Sequence, residues 1–141
     1  MIGDWNVAIK LNQPNGKSFE YKAKWHNYWM LDGYAVMQEW RGPYSTGAEM
    51  RYYHLKSKTW TGRNLYVPGS WKNTYPLKEG DRIIIGHDPK KDSEGNTFNT
   101  REVYSNITEN SFKLVGEISK DGGKTWKPGR YLSIATRSVN R

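Results

Sequence analysis

The sequence contains no cysteine, so disulfide cross-links and cysteine-ligated metals are excluded, and the fold must rest on an apolar core. No apolar run approaches the roughly 20 residues of a membrane-crossing helix. Nor does a basic-then-apolar leader precede Trp5, so no membrane span and a cytoplasmic location are the expectation. Helical periodicity is missing too: no stretch sustains apolar residues at the 3.6-residue repeat.

Catalytic signatures are equally scarce. There is no Gly-x-Ser-x-Gly, no phosphate-binding loop and no cysteine nucleophile. The three histidines, His26, His54 and His87, lack the spacing of a metal site. Neither a metal nor another cofactor is expected. Basic residues outnumber acidic ones, 22 to 14, for a net charge of +8, which favours anionic partners in general. They come in small groups such as Lys56-Ser57-Lys58 and Lys90-Lys91, which read as solvated surface. Basic residues interleaved with aromatics, as in "KAKWHNYW" and "MRYYHLK", also occur on single-strand-binding surfaces. Half-buried strands with lysine outside and aromatics inside produce the same pattern, so nucleic acid is not the favoured partner.

What the sequence does have is alternation. Trp5, Val7, Ile9 and Leu11 alternate with Asp4, Asn6, Ala8 and Lys10, and "QPNGK" follows as a turn. Phe19, Tyr21, Ala23 and Trp25 alternate in the same way with Glu20, Lys22 and Lys24. The stretch "HNYWMLDG" breaks the pattern and reads as a short helical or irregular plug ending in the Asp32-Gly33 turn pair. Further strands are expected at 34–42, 47–55, 59–67, 71–76, 81–87, 97–106, 111–119 and 126–137, separated by turn segments such as "VPGS", "LKEGD" and "ITENS". Ten short strands joined by tight turns predict an all-β protein: a single domain over residues 1–141, an antiparallel meander closed into a barrel. Closure removes the free edges that ten strands would otherwise have to protect.

Two resemblances bear on this reading. "GDW", "WMLDGYAVMQEW", "MRYYHLKSKTW", "TREVYSNITENSFKLVGEISKDGGKTW" and the closing "ATR" together resemble a family of uncharacterised, mostly bacterial proteins with a lipocalin-like, or calycin, barrel. That resemblance spans nearly the whole chain and implies eight to ten strands around an internal cavity. Within it, "SKDGGKTW" (119–126) resembles the Asp-box of sialidases and other propeller enzymes. A propeller needs at least about four blades of four strands, more than this chain can supply. The motif is therefore read as a hairpin device between the last two strands, with Asp121 accepting backbone N–H bonds.

Seven tryptophans, ten tyrosines and three phenylalanines must be housed. They either fill the barrel, or some of them (Trp25, Trp40, Tyr53, Trp60, Tyr66 and Trp71) line a cavity that stacks on a ligand. Polar residues share strand faces with large apolar ones: Gln38 with Trp40, Arg51 with Tyr53, Arg101 with Val103, Glu117 with Val115 and Arg137 with Ala135. A buried charge must be paired, so inward faces predict an Arg101–Glu117–Arg137 ladder that could hold a carboxylate or phenolate, with Tyr53 or Tyr104 as hydroxyl. Outward faces predict a surface network instead.

The expected ligand-binding set is Trp25, Gln38, Trp40, Arg51, Tyr53, Trp60, Arg101, Glu117 and Arg137. The expected function is binding of a small hydrophobic or amphipathic molecule with an anionic or polar end inside the barrel. The alternative is a barrel enzyme, a cyclase, isomerase or lyase working by general acid–base catalysis, with Glu117, His54 and Tyr53 as candidates. A homodimer is compatible with the sequence.

Overall fold

In the first hairpin the apolar residues all fall on one face. β1 (Gly3–Asn12) pairs antiparallel with β2 (Ser18–Met30), setting Trp5 beside Trp25, Val7 beside Ala23 and Ile9 beside Tyr21. Their side chains turn inward, whereas Asn6, Ala8, Lys10, Lys22 and Lys24 face solvent. The computed structural model, which describes residues 1–139, continues this meander through β3 (Ala35–Arg41), β4 (Thr46–His54), β5 (Thr59–Val67), β6 (Ser70–Glu79) and β7 (Arg82–His87). The two-residue β8 (Lys90–Lys91) sits in the connection to β9 (Thr97–Ser105), and β10 (Ser111–Ser119) and β11 (Lys127–Arg137) complete the order.

β9 pairs with both β7 and β10, and β11 pairs with both β10 and β1. Ten strands thereby close into an all-β antiparallel barrel; β8 pairs only with the outer end of β9. Each of the ten strands has a paired neighbour on both sides, so closure removes the two free edges that an open sheet would present. No helix among the described residues is long and apolar enough to cross a membrane.

The expected plug at "HNYWMLDG" is not one. β2 runs on through Met30, pairing Asn27 with Gln38 and Trp29 with Val36, and only Leu31–Gly33 forms a 3-10 turn. The alternation breaks there because polar Asn27 points inward, its Nδ2 donating to the Met1 carbonyl at 2.9 Å, while Tyr28 lies outside and reaches Glu39.

The two ends of the barrel differ. The end carrying the N-terminus, the Leu31–Gly33 turn and the β9–β10 turn is filled by packed rings. Trp5 meets Phe112 edge-on at 4.8 Å, and Trp25 stands between Trp40 at 5.6 Å and Tyr104 at 6.0 Å. Ile85, Val7 and Ala135 fill the gaps between the rings. Edge-on and tilted ring pairs of this kind add about 0.5–1.5 kcal/mol each beyond simple area burial. At the opposite end, where the β1–β2, β3–β4, β5–β6 and β10–β11 connections meet, the lumen is open.

Arg101 and Glu117 pair directly across β9 and β10, Arg101 Nε donating to Glu117 Oε2 at 2.7 Å. Arg137 is not part of that ladder. Because β11 runs antiparallel to β10, Arg137 lies at the closed end, stacked over Trp5 at 4.5 Å and donating to the carbonyls of Glu109 and Ile2. The residue that falls opposite Glu117 is Pro128, displaced by a bulge between Val115 and Glu117.

The hairpin between β10 and β11 is organised by one carboxylate. Asp121 accepts from the backbone N–H groups of Lys124 (3.1 Å) and Thr125 (2.9 Å) and from the Ser119 and Thr125 hydroxyls. Gly122 and Gly123, at φ +75° and +89°, allow the chain to turn tightly around it. Trp126 Nε1 donates to the Gly123 carbonyl, and its ring lies under the Arg101 guanidinium at 4.1 Å.

Candidate functional site

The open end leads into a cavity of about 740 Å³, within the range typical of small-molecule sites. Its walls are of two kinds. Ile9, Leu11, Tyr21, Trp25, Leu114 and Ile118, from β1, β2 and β10, make an apolar side. Across from them, β4 to β7 and β9 contribute Glu49, Asn64, Lys72, His87, Thr100 and Glu102.

The polar side comes from an inversion of the usual pattern. On β4, Glu49 and Arg51 point inward while Met50 and Tyr52 are exposed; on β5 and β6, Asn64, Lys72 and Thr74 point inward while Leu65 and Trp71 are exposed. What makes inward charge tolerable is mutual satisfaction. Glu49 accepts from Arg51 Nε at 2.7 Å, Thr74 Oγ1 at 2.9 Å and Asn64 Nδ2 at 3.3 Å. Gly62 makes room for this: a Cβ there would stand 2.3 Å from Thr74 Oγ1. Desolvation alone would raise the Glu49 pKa, but the Arg51 charge and the three donors outweigh it and hold it below the ordinary value. Arg51 is correspondingly held more firmly protonated, by the nearby Tyr104 and Glu49 against its own desolvation.

Above this network sits a second carboxyl. Glu102 accepts from the Tyr131 hydroxyl at 2.8 Å, and among the described residues no cation lies within ion-pair distance of it. Desolvation and the neighbouring Glu49 charge push its pKa up, against the Tyr131 hydrogen bond. Tyr131 can lie flat across β10 because residue 116 is glycine; a Cβ there would stand 2.6 Å from its ring. His87, whose Nδ1 is 3.1 Å from Thr100 Oγ1, is pushed down to about 4 by desolvation and by the charges of Lys72 and Lys90. It is therefore a neutral imidazole at physiological pH. Lys72 and Lys90 border the cavity without a carboxylate in ion-pair distance among the described residues. Asn64, 7% exposed, has no partner for its Oδ1.

The residues singled out from the sequence are scattered over this architecture. Trp25 and Trp40 line the cavity, and Tyr66 joins them. Arg51 and Gln38 are buried on inward faces, but Arg51 is engaged by Glu49. Tyr53 and Trp60 pack together at 5.4 Å on strand ends away from the mouth. Arg101 and Glu117 border the cavity, yet strand alternation sets their side chains on the face opposite Glu102 and Gly116, with Arg101 over the Trp126 ring. Trp71 lies on the outer surface beneath Arg63.

The three acid–base candidates do not converge. His54 is exposed and bonded to Ser57, Tyr53 is on the other face of the same strand, and Glu117 stands at the far end of β10. The sequence reading missed Glu49, Asn64, Lys72, His87, Glu102 and Tyr131. For Glu49 the available signal was its i,i+2 spacing from Arg51, which puts both on one strand face.

Among the described residues, no three His, Asp or Glu side chains are grouped to hold a metal ion. Fold and cavity define a closed ten-stranded antiparallel barrel with one open end, consistent with a lipocalin-like shape. No protein-family model and no curated protein matches the chain.

Proposed function

We propose that the protein is a lipocalin-like, cytoplasmic binder of a small amphipathic molecule, taken into the barrel through its open end. The observation that carries this reading is the cavity of about 740 Å³ with an apolar wall facing a polar one. A cavity filled by the protein's own rings would leave no room for a ligand; here the rings fill one end only. Trp25 and Trp40 offer aromatic faces to a flat or chain-like body, while the opposite wall offers hydrogen-bonding groups. Titration with 8-anilinonaphthalene-1-sulfonate, read by quenching of tryptophan emission, should show one saturable site that Ser133→Trp, which fills the lumen, abolishes without lowering Tm. An unsaturable response, or one unchanged in Ser133→Trp, sinks the proposal.

A second reading, acid–base catalysis on such a molecule, draws support from one observation. Glu102 borders the cavity, hydrogen-bonded to Tyr131, with its proton affinity raised, and carboxyls so tuned serve as general acids or bases near neutral pH. If turnover of any bound compound is found, Glu102→Gln should abolish it while leaving dye binding intact. Turnover that survives the substitution removes Glu102 from the role.

A further inference from the structure

The cavity has a direction. On β9 Glu102 lies deeper than Phe98, which pairs with Lys90 at the rim, and on β6 Lys72 lies on the mouth side of Thr74, so a carboxyl stands inside and two ammonium groups stand nearer the mouth, with the apolar surface of Trp25, Tyr21 and Leu114 across from them. We propose that the ligand is an organic acid carrying a hydrogen-bond donor, a hydroxyl or an ammonium, at the end remote from its carboxylate. The donor end enters first and meets Glu102, and the carboxylate remains nearer the mouth beside Lys72 and Lys90. This deepens the binding reading and rests on it. It reverses the polarity expected from the sequence, in which arginines inside the barrel would receive the anionic end.

Two observations carry the inner half, the free oxygen of Glu102 and the engagement of Arg51. Glu102 has one carboxylate oxygen engaged by Tyr131, and among the described residues the other has no partner. Arg51, the one inward guanidinium on this wall among the described residues, has its Nε committed to Glu49 and its Nη2 turned to Tyr104, so it is not free to take a carboxylate. A donor entering here would satisfy acceptors, whereas a carboxylate would face two others.

For the outer half, Lys72 lies on the inward face of β6, and Lys90 on β8 folds over the same rim. Burial and then the nearby Lys72 charge lower the Lys90 pKa, against the Glu102 charge, and among the described residues neither lysine has a carboxylate in ion-pair distance. An anion between them relieves that repulsion while keeping partial hydration, the arrangement that exposed lysines favour.

The test compares four probes of one chain length by isothermal titration: octanoate, 8-hydroxyoctanoate, 8-aminooctanoate and 1-octanol. Wild-type protein should bind at least one of the two donor-bearing acids roughly ten- to a hundredfold more tightly than octanoate, the gain typical of a hydrogen bond to a charged group. Glu102→Gln should narrow that ratio. Lys72→Met and Lys90→Met should weaken all three acids alike while leaving 1-octanol unchanged. Octanoate binding as tightly as both donor-bearing acids would overturn the polarity and leave the binding reading standing. No heat from any of the four, together with no displacement of the sulfonated dye, would overturn both. Because the first comparison uses wild-type protein, it does not depend on any variant folding.

Discussion

Substituting Arg51 by methionine would leave the Glu49 carboxylate inside the barrel with no cation beside it. Both side chains are more than nine-tenths buried, at 8% and 7% exposure, and the Nε–Oε1 separation is 2.7 Å. Breaking such a pair from one side typically costs about 3–5 kcal/mol, because the remaining charge keeps its desolvation penalty and loses its partner. At roughly 3–4 °C per kcal/mol for a chain of this length, Tm should fall by about 9–20 °C.

Glu49→Leu with Arg51→Met removes both charges and should recover much of the loss, leaving chiefly the unmet Thr74 hydroxyl and Asn64 amide as a residual cost. Urea unfolding followed by tryptophan fluorescence gives each ΔG and the coupling between the sites. The pH dependence supplies a second reading. Since the folded Glu49 pKa lies below its ordinary 4.5, the pair's contribution is complete above that pH and fades as pH falls through the folded value. The gap between wild type and Arg51→Met should narrow accordingly in acid. An Arg51→Met loss under about 1 kcal/mol, or a double variant as unstable as the sum of the two singles, would refute the claim that this network is buried and mutually dependent.

Other perturbations follow from the same geometry. His87 titrates near 4 in the folded barrel against 6.5 ordinarily, so between those values the unfolded chain binds the extra proton and stability should fall as pH drops; His87→Gln should flatten that slope in urea melts at pH 7 and pH 5. Asp121→Ala should lower Tm by freeing the Lys124 and Thr125 amides, and the deficit should shrink in strong acid, where the depressed Asp121 carboxylate of wild type is itself protonated. Arg101→Ala should cost only about 0.5–1 kcal/mol from the partly exposed Glu117 pair, with a salt dependence that Arg51→Met lacks. Gly116→Ala places a methyl 2.6 Å from the Tyr131 ring and should cost about 1–3 kcal/mol by overpacking, while shifting the Tyr131 resonances in an aromatic NMR spectrum.

Much of the fold was legible because alternation and turn chemistry agree along most of the chain. Trp5, Val7 and Ile9 alternate with the polar or small residues Asp4, Asn6, Ala8 and Lys10, so their facing admits one answer, and the strand ranges expected for residues 59–67 and 111–119 match β5 and β10. The Asp121 turn was readable for a similar reason: its bonds run to residues within four positions, so no distant segment has to be known. Where the sequence misled, a local rule had a tertiary exception. Asn27 faces inward because the Met1 carbonyl waits for it, and nothing in "HNYWMLDG" reveals that.

The candidate site was less legible because it is built where the apolar rule is inverted. On β4, Arg51 was expected on an inward face with Tyr53, but as a receiver of the ligand's anionic end; what "EMRYYH" does not show is that Glu49 shares that face and takes up the guanidinium. Arg137 and Glu117 looked like neighbours because their strands are neighbours, but antiparallel pairing and a bulge separate them by nearly the length of β11.

By itself the sequence determined the class of structure: period-two alternation, aromatic abundance and closely spaced turns leave an all-β barrel as the way to bury the rings. Only the tertiary structure decided what the barrel holds. Inward charge survives on β4 because Thr74 from β6, Asn64 from β5 and Tyr104 from β9 arrive around Glu49 and Arg51, and side-chain satisfaction across four strands comes into being when the barrel closes.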